Sequence, residues 1–208
     1  MPPSQADWDA KHSLAAREAV EAPAGILAEL WPLLPTGAAL DLACGRGRNA
    51  IFLAEHGRPV TAVDWSPAAL DLLEKRAQTL HLPVRRIQRI EKAKQARAGI
   101  DLVLADLESV QLEDNGYFLI LCVRYLQRSL FPQICRALRP GGMLLFETYT
   151  KAQLDFPGGP QNPAHLLDKG ELRRAFPELQ TVFYRELRAE QGIASLAARK
   201  PQGHSHRK

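Results

Sequence analysis

Residues Ala38 to Ala50, Ala-Ala-Leu-Asp-Leu-Ala-Cys-Gly-Arg-Gly-Arg-Asn-Ala, bring several chemically capable groups together at short spacing. Asp41 interrupts the apolar run Ala39, Leu40, Leu42, Ala43. That run suits a strand buried on both faces, so the carboxylate needs a partner or a job. Gly45 and Gly47 then permit a tight turn whose backbone is bare of side chains. A helical pattern follows (Ala50, Ile51, Phe52, Leu53, Ala54), with Gly57 placed to stop it. Strand, glycine turn and helix in this order aim the free N–H groups of the helix start at a ligand. The ligand end facing them is anionic or an acceptor; a carboxylate there gains about 0.3–1 kcal/mol. Two more acids stand where strands should end: Asp64 after Pro59-Val-Thr-Ala-Val, and Asp106 after the run Ile100 to Ala105.

Two chemistries compete for this turn. Gly45-Arg-Gly47-Arg-Asn-Ala50 fits the dinucleotide pattern G-x-G-x-x-G/A, with Asp64 downstream as a ribose ligand. Asp41, four residues before Gly45, argues otherwise. A carboxylate there is unhelpful to a pyrophosphate. It suits a cofactor end that carries an ammonium, with the carboxylate of the same group near the helix start.

The elements that must position these residues alternate along the chain. Pro59–Asp64 reads as a second strand. Ser66-Pro67 opens a helix, Ser as N-cap and Pro in the first turn, with Leu70, Leu73, Ala77 and Leu80 on one face. Ile100–Ala105 and Tyr117–Val123 read as the third and fourth strands. Leu130, Ile134 and Leu138 mark a helix that Arg139-Pro-Gly-Gly142 stops before a fifth strand, Met143–Thr148. After a Pro- and Gly-rich loop (157–163) comes a short helix, Gly170–Phe176. Residues 179–188 and 193–199 form a hairpin across Ala189–Gly192. Upstream, residues 14–31 (Leu14, Val20, Ile26, Leu27, Leu30) suggest two short helices broken at Pro23 and Gly25. This alternation predicts a parallel α/β sheet with right-handed crossovers, to which the hairpin adds one antiparallel strand.

The 208 residues suit one domain with a sizeable core, and 46% are apolar. The longest apolar run, Tyr117–Val123, is too short to span a bilayer, and the N-terminus lacks the pattern of a secretory signal. Cys44, Cys122 and Cys135 have no metal-ligand spacing and read as free thiols, which fits a cytoplasmic protein with no metal site. The net charge of +4 is concentrated in residues 85–97: Arg85, Arg86, Arg89, Lys92, Lys94 and Arg97 against Glu91. Such a segment can touch nucleic acid or another polyanion; the plainer reading is a solvated helical face.

The motifs resemble those of the class I S-adenosylmethionine-dependent methyltransferases. Asp41-Leu-Ala-Cys-Gly45-Arg-Gly47 is similar to their first motif, with Ala in place of the first glycine. Val63-Asp64 is similar to the second and Ala105-Asp106-Leu107 to the third, and Arg139-Pro-Gly-Gly142 and the terminal hairpin also match. Within that class the chain resembles the tellurite-resistance-like small-molecule methyltransferases. The run Leu40 to Ala50, Asn162-Pro-Ala-His-Leu-Leu167 and Gly170-Glu-Leu172 have close counterparts there. Two departures are Phe118, where such proteins often carry Asp, and a long basic link at 82–98.

The resemblance implies a Rossmann-like three-layer α/β sandwich with a mostly parallel seven-stranded sheet and an antiparallel C-terminal hairpin strand. It implies a helical cap over residues 1–35, a methyltransferase domain over 36–200 with a basic insertion at 82–98, and a polar tail, 201–208. S-adenosyl-L-methionine is the implied cofactor. Asp64 then accepts the ribose hydroxyls. Asp106 receives the adenine amino group, with Leu107 beside the ring. Asp41 holds the ammonium, directly or through water, or braces the loop. Gly45 and Gly47 give close backbone approach, and Ala43, Cys44, Asn49 and Trp65 complete the cofactor-binding set. The acceptor, a small molecule with an anionic or soft nucleophile, belongs past the ends of strands four and five. Arg124, Tyr125 and His165 are the candidate catalytic residues, with Arg128 and Tyr149 also in reach. Arg124 is suited to an anionic acceptor and His165 to taking a proton. Two other functions stay open: an NAD(P)-dependent oxidoreductase using the same turn, and an RNA-directed binding module using Arg85, Arg86 and Arg89.

Overall fold

A computed structural model describes residues 4–15, 22–90 and 98–202, without the side chains of 11–15. Eight strands form one sheet in the order β3-β4-β2-β1-β5-β6-β8-β7. They are β1 (Ala39–Leu42), β2 (Pro59–Asp64), β3 (Val84–Ile87), β4 (Gly99–Leu104), β5 (Tyr117–Val123), β6 (Leu138–Tyr149), β7 (Gln180–Arg188) and β8 (Gly192–Arg199). Every pairing is parallel except those of β8, which runs antiparallel to both β6 and β7. The expected single antiparallel strand is therefore β8.

Among the described residues six α-helices accompany the sheet: α1 (Gln5–Ala15), α2 (Gly25–Leu30), α3 (Arg48–Glu55), α4 (Pro67–Thr79), α5 (Phe131–Ala137) and α6 (Glu171–Arg174). One apolar layer joins Ile26 and Leu27 of α2, Ile51 and Leu53 of α3, and Leu70 and Leu73 of α4 to the sheet residues Ala39, Ala62, Leu119 and Leu145. The other packs Phe131 and Ile134 of α5, Leu172 of α6 and Phe176 against Leu40, Val63, Ile120 and Phe146. Consecutive residues of β1 thus face opposite layers, and all four are buried. The result is the expected three-layer sandwich.

The sheet has eight strands where seven were expected. The additional edge strand, β3, lies inside the segment read as a basic insertion or solvated helical face. Two adjacent arginines hide its strand character in the sequence. Arg85 stands opposite Asp101 in the β3–β4 register, and its Nε and Nη2 reach that carboxylate at 2.5 and 3.0 Å. Arg86 reaches Glu74 (2.9 Å) and Asp71 (2.5 Å) on α4. Opposite charges across strands make the pairing favourable where apolar residues are lacking. Glu91, Lys92, Lys94 and Arg97 lie outside the described residues, as do Val20 and most of the tail.

Leu138 also departs from expectation. It belongs to β6, opposite Tyr117, not to the helix of Leu130 and Ile134. Pro140 disfavours helical backbone at Arg139, so α5 closes at Ala137 and the chain extends from Leu138. Leu80 lies past the last turn of α4 and is exposed. The other boundaries follow the local chemistry. Ser66 Oγ accepts from Ala69 N–H and caps α4 (3.1 Å), and Gly57 follows α3 at φ 75°. Among the described residues no helix is long and apolar enough to cross a membrane, and no cluster of His, Cys, Asp and Glu has the arrangement of a metal site.

Candidate functional site

β1 is the strand at which the order reverses: β2 lies on one side and β5 on the other. In open α/β sheets the crevice beyond the strand ends at such a point is where ligands bind. The chain leaves β1 through a turn with three left-handed residues, Ala43 (φ 53°), Gly45 (φ 54°) and Gly47 (φ 77°). A non-glycine residue held there costs about 1–3 kcal/mol, which marks Ala43 as imposed by its surroundings. Cys44 N–H donates to Val63 O (3.0 Å) and Gly47 N–H to Cys44 O (3.0 Å), so the turn is tied to β2 and to itself. Gly47 is also pressed onto α4: a Cβ there would lie 2.1 Å from Leu73 Cδ1. α3 begins immediately after it.

Asp41 is the electrostatic centre of this turn. It is buried, and its Oδ2 has no hydrogen-bond partner. Burial, seconded by the neighbouring Asp64 charge, pushes its carboxyl up to about 7, against the pull of Arg48 and of the Ala50 N–H. A buried acid left in this state gains by meeting a cation.

Asp64 ends β2 and is nearly buried. Its Oδ2 accepts from Gly45 N–H (2.7 Å) and its Oδ1 from Ser66 N–H (2.9 Å). It therefore braces the glycine turn, and each oxygen retains a lone pair for further donors. Trp65 beside it is part-exposed and its carbonyl accepts from Gln5 Nε2 of α1 (2.7 Å). Asp9 of α1 receives Ser66 Oγ–H and, at 3.3 Å, Ala68 N–H. α1 thus seats on the β2–α4 turn, a role that the polar residues 1–13 do not signal in sequence.

Asp106 lies two residues beyond β4, half-buried, with Oδ1 accepting from Glu108 N–H (2.9 Å). Ala105 N–H donates to Asp64 O (3.0 Å), which sets the two acids at adjacent strand ends. Leu107 is buried, and its carbonyl accepts from Gln127 Nε2 (3.1 Å). Cys44 and Asn49 have other engagements. The Cys44 thiol is buried and pushed well above its ordinary range by burial and the two aspartates, so it stays protonated. Asn49 is buried, and its Oδ1 accepts from Ala24 N–H (2.9 Å), fastening the segment before α2 to α3.

On the other side of β1, Leu42 pairs with Cys122, so Cys44 and Arg124 stand at the same level past their strands. Arg124 is itself left-handed (φ 61°), and its N–H donates to Glu147 O (2.7 Å). Its Nη1 donates to Tyr149 Oη, and the guanidinium lies over the Tyr149 ring, 4.7 Å from the centroid. Tyr125 donates its hydroxyl to Gln127 Oε1 (2.5 Å), and burial with nearby negative charge pushes that phenol above its usual range. It is a proton donor at neutral pH, not a base.

His165 sits half-buried on the 3-10 turn Pro163–His165. Arg128 does not reach toward an acceptor. It forms a two-pronged pair with Glu171 (2.6 and 3.0 Å) and donates to the carbonyls of Ala164 (2.9 Å) and Leu166 (3.0 Å). Leu167 N–H donates to Tyr149 O (2.9 Å), so the turn is laid against the end of β6. Gln127 carries no signal in sequence, its partner lying 20 residues away; Glu171 belongs to the run Gly170-Glu-Leu172, but its pairing with Arg128, 43 residues away, does not show there.

A family model described as "Methyltransferase domain" matches residues 40–146. The ubiquinone biosynthesis O-methyltransferase of Coxiella burnetii is 30% identical over 139 residues, which cover 63% of this chain and 53% of that protein. The chain spans about half the length of the curated relatives it matches. TehB from Haemophilus influenzae superposes with a TM-score of 0.67 at 19% identity, over 85% of this chain and 62% of that one. A structure described as "Conversion of a Disulfide Bond into a Thioacetal Group during Echinomycin Biosynthesis" superposes with a TM-score of 0.68 at 18% identity, over 97% and 94%. Both superpositions establish a shared fold.

Proposed function

The chain belongs to the methyltransferase-domain family, whose model spans its strand–turn–helix core, and we propose that it transfers a methyl group from S-adenosylmethionine to a small acceptor. One observation carries this reading: the buried Asp41 Oδ2 with no donor, at the mouth of a turn of left-handed residues. An ammonium satisfies that oxygen and draws the raised carboxyl back to its ionised form. A pyrophosphate at the same place meets an unpaired acid, which counts against the dinucleotide alternative. The RNA-directed alternative is weakened because Arg85 and Arg86 are engaged by Asp101, Asp71 and Glu74.

When bound, the cofactor supplies a methyl group on a positively charged sulfur, already activated toward displacement. The chain's own residues do the rest. Asp41 holds the ammonium, and the N–H groups opening α3 face the carboxylate. Asp64 keeps its two backbone bonds while taking the ribose hydroxyls on its remaining lone pairs. Asp106 and Leu107 meet the adenine, Trp65 offers an aromatic face on the same side, and Ala43, Gly45 and Gly47 allow close approach. Asn49 and Cys44 are better read as a brace and a packing residue than as contacts. Arg124, Tyr125, Tyr149 and His165 frame the acceptor, with Arg128 holding the His165 turn in place. Orienting the acceptor on line can supply ~7–11 kcal/mol of the barrier. His165 is the group available to take a proton, since its ring has no hydrogen-bond partner among the described residues.

Titration calorimetry with S-adenosylhomocysteine and with NAD tests this. Micromolar binding of the first and none of the second is expected; the reverse pattern overturns the reading.

A further inference from the structure

Six arginines, Arg85, Arg86, Arg128, Arg136, Arg185 and Arg188, each pair with an Asp or Glu. Arg124 is half-buried and has no such partner among the described residues. Its guanidinium spends Nη1 on the Tyr149 hydroxyl oxygen, while its Nε is buried with no acceptor. The Tyr149 hydroxyl accepts that bond, and its own proton meets no acceptor among the described residues. Both groups are fixed: Arg124 by its left-handed backbone and the bond to Glu147 O, Tyr149 by the last register position of β6 and the bond from Leu167 N–H. A cation withdrawn from water without a counter-charge is unfavourable, and so is a buried N–H without an acceptor. The missing counter-charge is supplied when an oxyanion sits against the part of the guanidinium that is not buried.

We propose that Arg124 and Tyr149 form the head-group site of the methyl acceptor, and that the acceptor is a carboxylic acid. The planar guanidinium edge matches the two oxygens of a carboxylate, and the Tyr149 hydroxyl supplies a further donor. One unpaired positive charge matches one negative charge. Two cations of the neighbouring loops, Lys151 and Arg128, are already paired with Asp168 and Glu171, which favours a monoanion over a phosphate dianion. The place suits an acceptor, since Arg124 stands one strand over from the cofactor turn at the same level as Cys44. The assignment of this anion as the methyl acceptor rests on the function proposed above; the anion site itself does not.

The test uses the full chain and reads the Arg124 Nε–H signal by nitrogen–proton NMR, assigned by its absence from Arg124→Lys. Acetate and benzoate are expected to shift it with dissociation constants on the order of 10 mM. Acetamide, benzamide and sodium chloride at matched ionic strength are expected to leave it in place. Tyr149→Phe keeps the signal, which shows that the site is still folded, and weakens acetate several-fold. An immobile signal with both carboxylates, an equal response to the amides, or tighter binding of inorganic phosphate overturns the proposal. S-adenosylhomocysteine is titrated into the same sample. Its failure to bind sinks the methyltransferase reading while leaving the anion result legible, and the converse holds.

Discussion

Asp41→Asn separates the cost of the buried carboxylate from its use. Burial holds the carboxyl at about 7 in the folded protein, against the 3.8 of an ordinary aspartate. Between those values the folded state holds a proton that the unfolded state has released. Stability therefore falls as pH rises from about 4 to about 7, by an amount near 4 kcal/mol at 1.36 kcal/mol per unit. About two of those units lie between pH 5 and pH 8, so wild type loses roughly 3 kcal/mol through this group across that interval. The asparagine variant cannot ionise and is spared that loss, though it leaves one amide N–H without an acceptor, at a pH-independent cost of about 1–3 kcal/mol. For a chain of this size, 1 kcal/mol is about 2–4 °C in Tm. The Tm of the variant relative to wild type should thus rise by roughly 6–12 °C from pH 5 to pH 8. Calorimetric scans at the two pH values measure it. Affinity should move the opposite way: the variant loses most binding of S-adenosylhomocysteine, and wild-type affinity falls about tenfold per unit below pH 7, as Asp41 takes up its proton. A Tm difference that does not change with pH refutes the raised carboxyl, and unchanged affinity refutes its partnership with the ammonium.

Other perturbations follow from the same geometry. Asp64→Ala removes the acceptor for Gly45 and Ser66 N–H as well as the ribose contacts; calorimetry should show cofactor binding reduced at least 100-fold, with about 1–3 kcal/mol lost in denaturant unfolding. Gly47→Ala places a methyl against Leu73 at a left-handed φ. It should cost at least ~2 kcal/mol, from strain and overpacking together, and in a Leu73→Ala background the same substitution should cost only the strain part. Arg128→Ala frees the carbonyls of Ala164 and Leu166, and hydrogen exchange around residues 163–167 should accelerate while β1 to β5 stay protected. Arg85→Ala should leave Tm nearly unchanged, because its pair with Asp101 stands at the exposed sheet edge.

The sequence determined by itself those features whose causes are local. An apolar run with a carboxylate inside it, two glycines and a helical pattern specify strand, turn and helix, since each depends on neighbours within a few residues. Gly57 and the Ser66-Pro67 cap declare their helix boundaries for the same reason, and strands alternating with helices leave few topologies other than a parallel sheet. Tertiary structure decided whatever depends on partners far along the chain. Val84–Ile87 pairs with β4 in spite of its two arginines, because Asp101 and the acids of α4 lie beside them. Asn49 looks like a ligand residue until Ala24 N–H takes its oxygen, and Arg128 looks like one until Glu171 and two carbonyls claim its guanidinium. Arg124 and Asp41 show the same limit from the other side. Their residue types were visible from the start, but a charge becomes a binding site only when the fold strips it of water and provides no counterpart. That imbalance is a sum over neighbours in space, which no local pattern encodes.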